Sequence, residues 1–297
     1  MKDFYVCLLY GLSATMMNIS TKSLISTYSI SPALILLTIQ HIIIILLGYT
    51  KHYKVTWEEF KECGMISLLS LGNIVFGGIG MKYVNLPMYI ALRKLCTAKI
   101  FFIDLFFSNQ PIEVSSAIGV VGISIGALIA GFNDLTSEFN GYLIVFLANL
   151  MNALLLFQIR HAKEKLPSLI SFKQVYLCSA ISLPYTLVLI YTFDEQMHLA
   201  VSPYAHTWGF FFMVLYAGGL GVSCNYFLFK CTSEISPMAT SVTGNAKDFI
   251  SMIAGLWAFN DVQPNLLFVS GLFISMTGAV VYSSGKLVNG KKEAKSV

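Results

Sequence analysis

Ten apolar segments, each long enough to cross a bilayer and joined by short linkers, constrain this chain more than any other feature. They fall near 4–24, 32–49, 64–83, 86–107, 114–131, 141–159, 171–191, 207–229, 238–257 and 265–284. A hydrocarbon core is spanned by about 20 apolar residues in helical form, because a helix satisfies its own backbone groups. The pattern predicts an all-α polytopic membrane protein of about ten transmembrane helices, forming a single domain over 1–297 with a short tail at 288–297. Charge agrees: 11% of the 297 residues are charged and 56% are apolar, whereas a soluble domain carries about 25% charge. Pro32, Pro87, Pro111, Pro203, Pro237 and Pro264 mark linkers or helix starts. Met1–Ile25 has no cleavage pattern and reads as the first span.

The placement of basic residues sets an orientation. With the N-terminus in the cytosol, that side collects Lys2, Lys51, Lys54, Lys61, Arg160, Lys163, Lys165, Lys173, Lys230, Lys286, Lys291, Lys292 and Lys295. The opposite side holds Lys82 and the acidic loops at Asp134/Glu138 and Asp194/Glu195. Positive charge accumulates on the cytosolic side of membrane proteins, so both termini are expected there and the number of spans is even. Six scattered cysteines lack metal-ligand spacing and read as small packing residues. No catalytic residue, metal or cofactor is expected. The net charge of +4 does not indicate a nucleic-acid partner when its carriers sit beside spans. The partners expected are the lipid bilayer and a small anion, and a homodimer is admitted.

The two halves echo one another. Pro87-Met88 recurs as Pro237-Met238, Gly119 and Gly126-Ala127 recur as Gly271 and Gly278-Ala279, and Pro111 recurs as Pro264. All three offsets are near half the length. Five spans per half is an odd number, so the second repeat (about 138–287) inserts inverted relative to the first (about 1–133). Inverted repeats build transporters whose substrate site lies at midplane.

Five basic residues, Lys22, Arg93, Lys94, Lys99 and Lys247, fall inside spans. An intramembrane cation costs at least ~2.5–3.5 kcal/mol, so each needs a partner or a task. In the alignment of halves, Lys247 falls opposite Thr97, which makes the fourth and ninth spans symmetry mates. Arg93 and Lys247, with Lys94, are expected to hold a diphosphate, with arginine offering a fork and lysine a point charge. The alternative is internal pairing with Asp104 or Asp248, or snorkelling to headgroups. Asp248 is disfavoured as the partner of Lys247 because adjacent helical residues point about 100° apart. Gly244 and Asn245 bring a bare backbone and an amide beside Lys247. Arg93, Lys94 and Lys99 cannot share one direction, and Lys99 is expected to pack against another helix or to be partly solvated. Lys22 is read as either a gate or phosphate contact or a snorkelling lysine. Gln40, Asn73, Asn149, Asn152 and Asn225 read as interhelical glue, and His41 as a satisfied interior histidine. No nucleotide-hydrolysing loop, hydrolase motif or selectivity filter is present.

The stretches Lys22-Ser23 with Tyr28, Asn85-Leu86-Pro87-Met88 leading to Leu92-Arg93-Lys94, Asp134-Leu135 with Gly141-Tyr142, and Thr243-Gly244-Asn245-Ala246-Lys247 carry a family likeness. The chain resembles nucleotide-sugar transporters of the drug/metabolite transporter superfamily (solute-carrier family 35), the UDP-sugar branch most. The resemblance implies ten helices in two inverted repeats. It also implies exchange of a cytosolic nucleotide sugar for a lumenal nucleoside monophosphate across a Golgi or endoplasmic reticulum membrane. The family's GDP-mannose carriers show a paired asparagine in the seventh span, where this chain has Cys178-Ser179, and a different order of residues around the ninth-span lysine. Both departures favour a UDP-sugar over a GDP-sugar. The family position of Lys99 is usually apolar.

Overall fold

The computed structural model describes residues 2–28, 33–84, 89, 92–107, 114–131, 139–192, 207–259 and 266–293. The described residues form ten helices and no strand: α1 Lys2–Tyr28, α2 Ala33–Tyr49, α3 Trp57–Tyr83, α4 Cys96–Phe107, α5 Val114–Gly131, α6 Phe139–Lys165, α7 Ser171–Thr192, α8 Trp208–Glu234, α9 Pro237–Phe259 and α10 Leu266–Glu293. Four of them, around Trp57–Gly80, Phe139–Lys165, Ser171–Thr192 and Trp208–Glu234, are long and apolar enough to cross a membrane, and three shorter apolar helices accompany them. The chain is an all-α polytopic membrane protein.

Helix ends follow local chemistry rather than hydropathy, so several helices overrun the expected spans. At the start of α3, Thr56 Oγ1 accepts from the Glu59 amide (3.4 Å) while Glu59 Oε2 accepts from the Thr56 amide (2.9 Å). This reciprocal capping box satisfies two amides that the first turn leaves free, and it places the helix start ahead of the expected 64. At α9, Ser236 Oγ accepts from the Ala239 amide (3.0 Å) and Pro237 occupies the first helical position, where its missing N–H costs nothing. Pro184 lies inside α7.

Two compact units are defined by the packing, Met1–Leu71 with Gln158–Ile235, and Gly72–Phe157 with Ser236–Val297. In the first, α1 packs on α8, and α2 on α7 and α8. Leu24, Leu36, Phe210, Val214 and Ala217 form one apolar cluster there. A polar knot closes one end of this unit. Glu59 is 1% exposed and accepts from Lys173 Nζ (2.6 Å) and Ser168 Oγ (3.0 Å), and Glu62 accepts from Lys165 and Gln158 (both 2.6 Å). Lys173, counted above as a cytosolic charge, is thus a buried half of an ion pair. Asn225 donates to Gln40 (3.2 Å), the interhelical role expected of both. His41 Nδ1 is buried without a hydrogen-bond partner among the described residues, which differs from a satisfied histidine.

In the second unit, α5 crosses α10 with backbones nearly touching. A methyl on Gly119 would lie 2.8 Å from the Gly278 carbonyl oxygen, and one on Gly278 would lie 2.7 Å from that of Gly119. Gly126 and Gly271 abut in the same way. Small residues permit this approach, which earns dispersion and weak hydrogen bonds where lipid supplies no hydrophobic drive. α9 packs on both α10 and α4.

Candidate functional site

Arg93, Lys94, Lys247 and Asp248 belong to the second unit. Lys247 Nζ stands 2.7 Å from Asp248 Oδ1, which corrects the expectation that neighbouring residues diverge too far to pair. The backbone directions do diverge, but the four-carbon lysine stem bends back across the gap. The charge of Asp248 also acts on Arg93 and on Lys94. Arg93, Lys94 and Lys247 outnumber Asp248 in charge, so the group is positive.

Each cation is held differently. Arg93 donates through Nη1 to Tyr89 Oη (3.0 Å), one helical turn away, and its guanidinium lies 5.7 Å from the centre of that ring. Gly77 of α3 backs this pair: a methyl there would come within 3.1 Å of the tyrosine oxygen. Lys94 is 3% exposed and makes no hydrogen bond or ion pair among the described residues. Burying an ammonium inside a membrane protein is costly, and a nearby anion offsets that cost.

The backbone carrying Arg93 and Lys94 is tightened just after them. The Leu95 amide donates to the Leu92 carbonyl three residues back (3.1 Å), a 3₁₀-type turn between helical stretches. α6 grips this turn along one face. Asn149 Nδ2 donates to the same Leu92 carbonyl (2.7 Å), Asn152 Nδ2 to Cys96 Sγ (3.2 Å), and Lys99 Nζ donates to the Phe146 carbonyl (2.9 Å) while lying 3.6 Å from its ring centre. Residues 92, 96 and 99 are successive positions on one helical face. Lys99 therefore packs against a neighbouring helix, as expected.

Asn245 lies on α9 half a turn before Lys247. Its Nδ2 donates to Thr97 Oγ1 (2.8 Å), and Thr97 shares a second hydrogen bond with Ser241 Oγ (2.8 Å). This node, centred on the fully buried Thr97, ties α9 to α4 beside the cations. Gly244 lies on the same helix, one turn before Lys247. Lys22 belongs to α1 in the other unit, and its side chain is outside the described residues, as are Asn85–Met88, Asp134 and Leu135. No metal-binding group of His, Cys, Asp or Glu occurs among the described residues, and the six cysteines are free thiols.

Sequence reasoning missed Tyr89, Gly77 and Asn149 as supports of the cation cluster. Tyr89 could have been found as an aromatic one turn before Arg93. Nothing in the sequence points to the Asn149–Leu92 contact, because its acceptor is a backbone carbonyl.

No family model matches the chain. A UDP-galactose/UDP-glucose transporter of Arabidopsis thaliana is 25% identical over 93% of this chain and 88% of its own length. A UDP-N-acetylglucosamine transporter of the same plant is 30% identical over 70% of this chain and 60% of its own length. An Arabidopsis GDP-mannose transporter is 22% identical over 94% of this chain and 88% of its own length. A crystal structure superimposes with a TM-score of 0.66 over 93% of this chain and 96% of the other, at 14% identity, which speaks for the fold alone. The chain is a homologue of the nucleotide-sugar transporters, and UDP-sugar carriers predominate among its relatives.

Proposed function

We propose that the chain is a nucleotide-sugar antiporter that exchanges a cytosolic UDP-sugar for a lumenal nucleoside monophosphate by alternating access. The observation that carries this reading is Lys94, a buried ammonium without a partner among the described residues, set beside Arg93 and Lys247. A pyrophosphate cannot cross hydrocarbon unaided, and three cations with one carboxylate supply the charge to carry it. Arg93 offers the fork still free beyond Tyr89, and Lys94 and Lys247 offer point charges. Gly244 keeps the α9 backbone open to the ligand, and Asn245 sets an amide beside it. Lys247 and Asp248 keep 17% and 43% of their side chains exposed, and charges exposed within a spanning helix call for polar, hydrated surroundings.

The inverted-repeat reading, about 1–133 and about 138–287, draws support from α5 and α10. The repeat alignment equates Gly119 with Gly271 and Gly126 with Gly278, and the contacts are Gly119 to Gly278 and Gly126 to Gly271. Each contact is the image of the other under exchange of the halves, as a two-fold axis requires. The carrier is placed in the Golgi membrane, or alternatively in the endoplasmic reticulum, with both termini cytosolic, and a homodimer is compatible. A GDP-sugar is the second reading, because a GDP-mannose transporter aligns with 94% of the chain.

Liposomes preloaded with UMP, GMP or CMP, and challenged with labelled nucleotide sugars, test the proposal. UMP should stimulate uptake of UDP-sugars about tenfold above GMP, a difference of about 1.4 kcal/mol. Stronger stimulation by GMP would move the substrate to a GDP-sugar, and chemical conversion of the substrate would make the chain an enzyme.

A further inference from the structure

Asp248 is the one charged member of the cluster that phosphate binding does not use. A carboxylate and a phosphate compete for the same donors, and a carboxylate covalently next to Lys247 competes at very high local concentration. We infer that Asp248 is an internal counter-anion, whose carboxylate holds Lys247 in the empty carrier and gives way when a substrate phosphate takes its place. The inference rests on the proposed phosphate role of Lys247.

Two observations carry it. The pair is a direct contact, at 2.7 Å. Asp248 is the more exposed partner, with 43% of its side chain accessible against 17% for Lys247, so the carboxylate can swing aside at small cost. A monoanion yields to a phosphate monoester carrying about −1.5 to −2. As the product leaves, the tethered carboxylate returns to Lys247 and keeps the site from holding its ligand. Asp248 would therefore sacrifice affinity for release, which suits a carrier whose turnover depends on letting go.

The test is Asp248→Asn, which keeps the shape and removes the charge. In proteoliposomes its apparent KM for UMP should fall about fivefold and its maximal exchange rate should fall as well, while competition by uridine stays as in wild type. Asp248→Glu should restore wild-type values. A damaged fold raises KM, so tighter binding is an outcome that structural disruption does not produce. If Asp248→Asn is not recovered folded, UMP-induced thermal stabilisation of purified Asp248→Ser gives the same comparison. An unchanged or raised KM for UMP in a folded variant would overturn the counter-anion role alone. A wild-type protein that neither binds nor exchanges UMP would instead remove the function on which it rests.

Discussion

Replacing Lys247 by alanine separates the two tasks that a membrane lysine can have. If its task is structural, its contribution to folding is that of the Lys247–Asp248 pair. That pair is partly exposed on both sides, and pairs of this kind are worth about 0–1 kcal/mol. Removing it should leave insertion and thermal stability nearly intact. If its task is to meet a phosphate, the loss is a charge-assisted hydrogen bond worth about 1.5–3 kcal/mol, or roughly 10- to 150-fold in affinity. We expect the second pattern: KM for UMP rises by one to two orders of magnitude, while the melting profile of detergent-purified protein barely moves. Arg93→Ala should behave alike, except that its Tyr89 bond adds a modest stability cost. Normal exchange by a folded Lys247→Ala protein would refute the reasoning, because no structural compensation replaces a lost ligand contact.

Three further outcomes follow from the packing. Gly126→Leu should disrupt the α5–α10 crossing, where backbone atoms already fill the space of a methyl; overpacking of ~1–3 kcal/mol or more would appear as a lowered melting temperature. Glu59→Ala leaves Lys173 buried without its partner, and such breakage costs ~3–5 kcal/mol, so expression and thermal stability should fall more than for Glu62→Ala. Asn149→Leu removes the bond to the Leu92 carbonyl, and KM for UMP should rise several-fold as Arg93 and Lys94 lose their fixed backbone; an unchanged KM would show that the Leu95 turn holds itself.

The spans were legible because a bilayer imposes one long-wavelength rule, and each apolar stretch answers to it without reference to its neighbours. The buried cations were legible for the same reason, as charges where charge is expensive. What could not be read was anything decided by side-chain reach. Lys247 and Asp248 diverge at the backbone, and only the bend of a long stem joins them. Glu59 meets Lys173 across 114 positions, a distance over which sequence pattern is silent. The start of α3 is a different case: Thr56 and Glu59 carry the spacing of a capping box, which signalled the helix start where hydropathy did not.

The amides beside the site decide how a base could be read. Uracil presents a ring N–H flanked by carbonyls, so a two-point contact needs an acceptor and a donor side by side, which one free amide would supply. Asn245 already commits part of its amide to the protein. As drawn, Nδ2 donates to Thr97 Oγ1; turned over, its Oδ1 would accept from the same hydroxyl, which can still accept from Ser241. Either way one hydrogen bond of the amide is spent, while its second N–H or second lone pair stays available. Asn149 is constrained further, since the Leu92 carbonyl can only accept and so fixes Nδ2 upon it. Asn245 is therefore first a fastener of α9 to α4, and only the rest of its amide is left to meet a base. Asn245→Ala and Thr97→Val should therefore be coupled in stability, with an interaction energy of about 0.5–1.5 kcal/mol in a double-mutant cycle. Neither should alter the ratio of UMP to GMP stimulation more than about tenfold, the worth of one neutral hydrogen bond. Complete loss of base preference in Asn245→Ala, with Thr97→Val unaffected, would make Asn245 the reader of the base and the Thr97 node incidental.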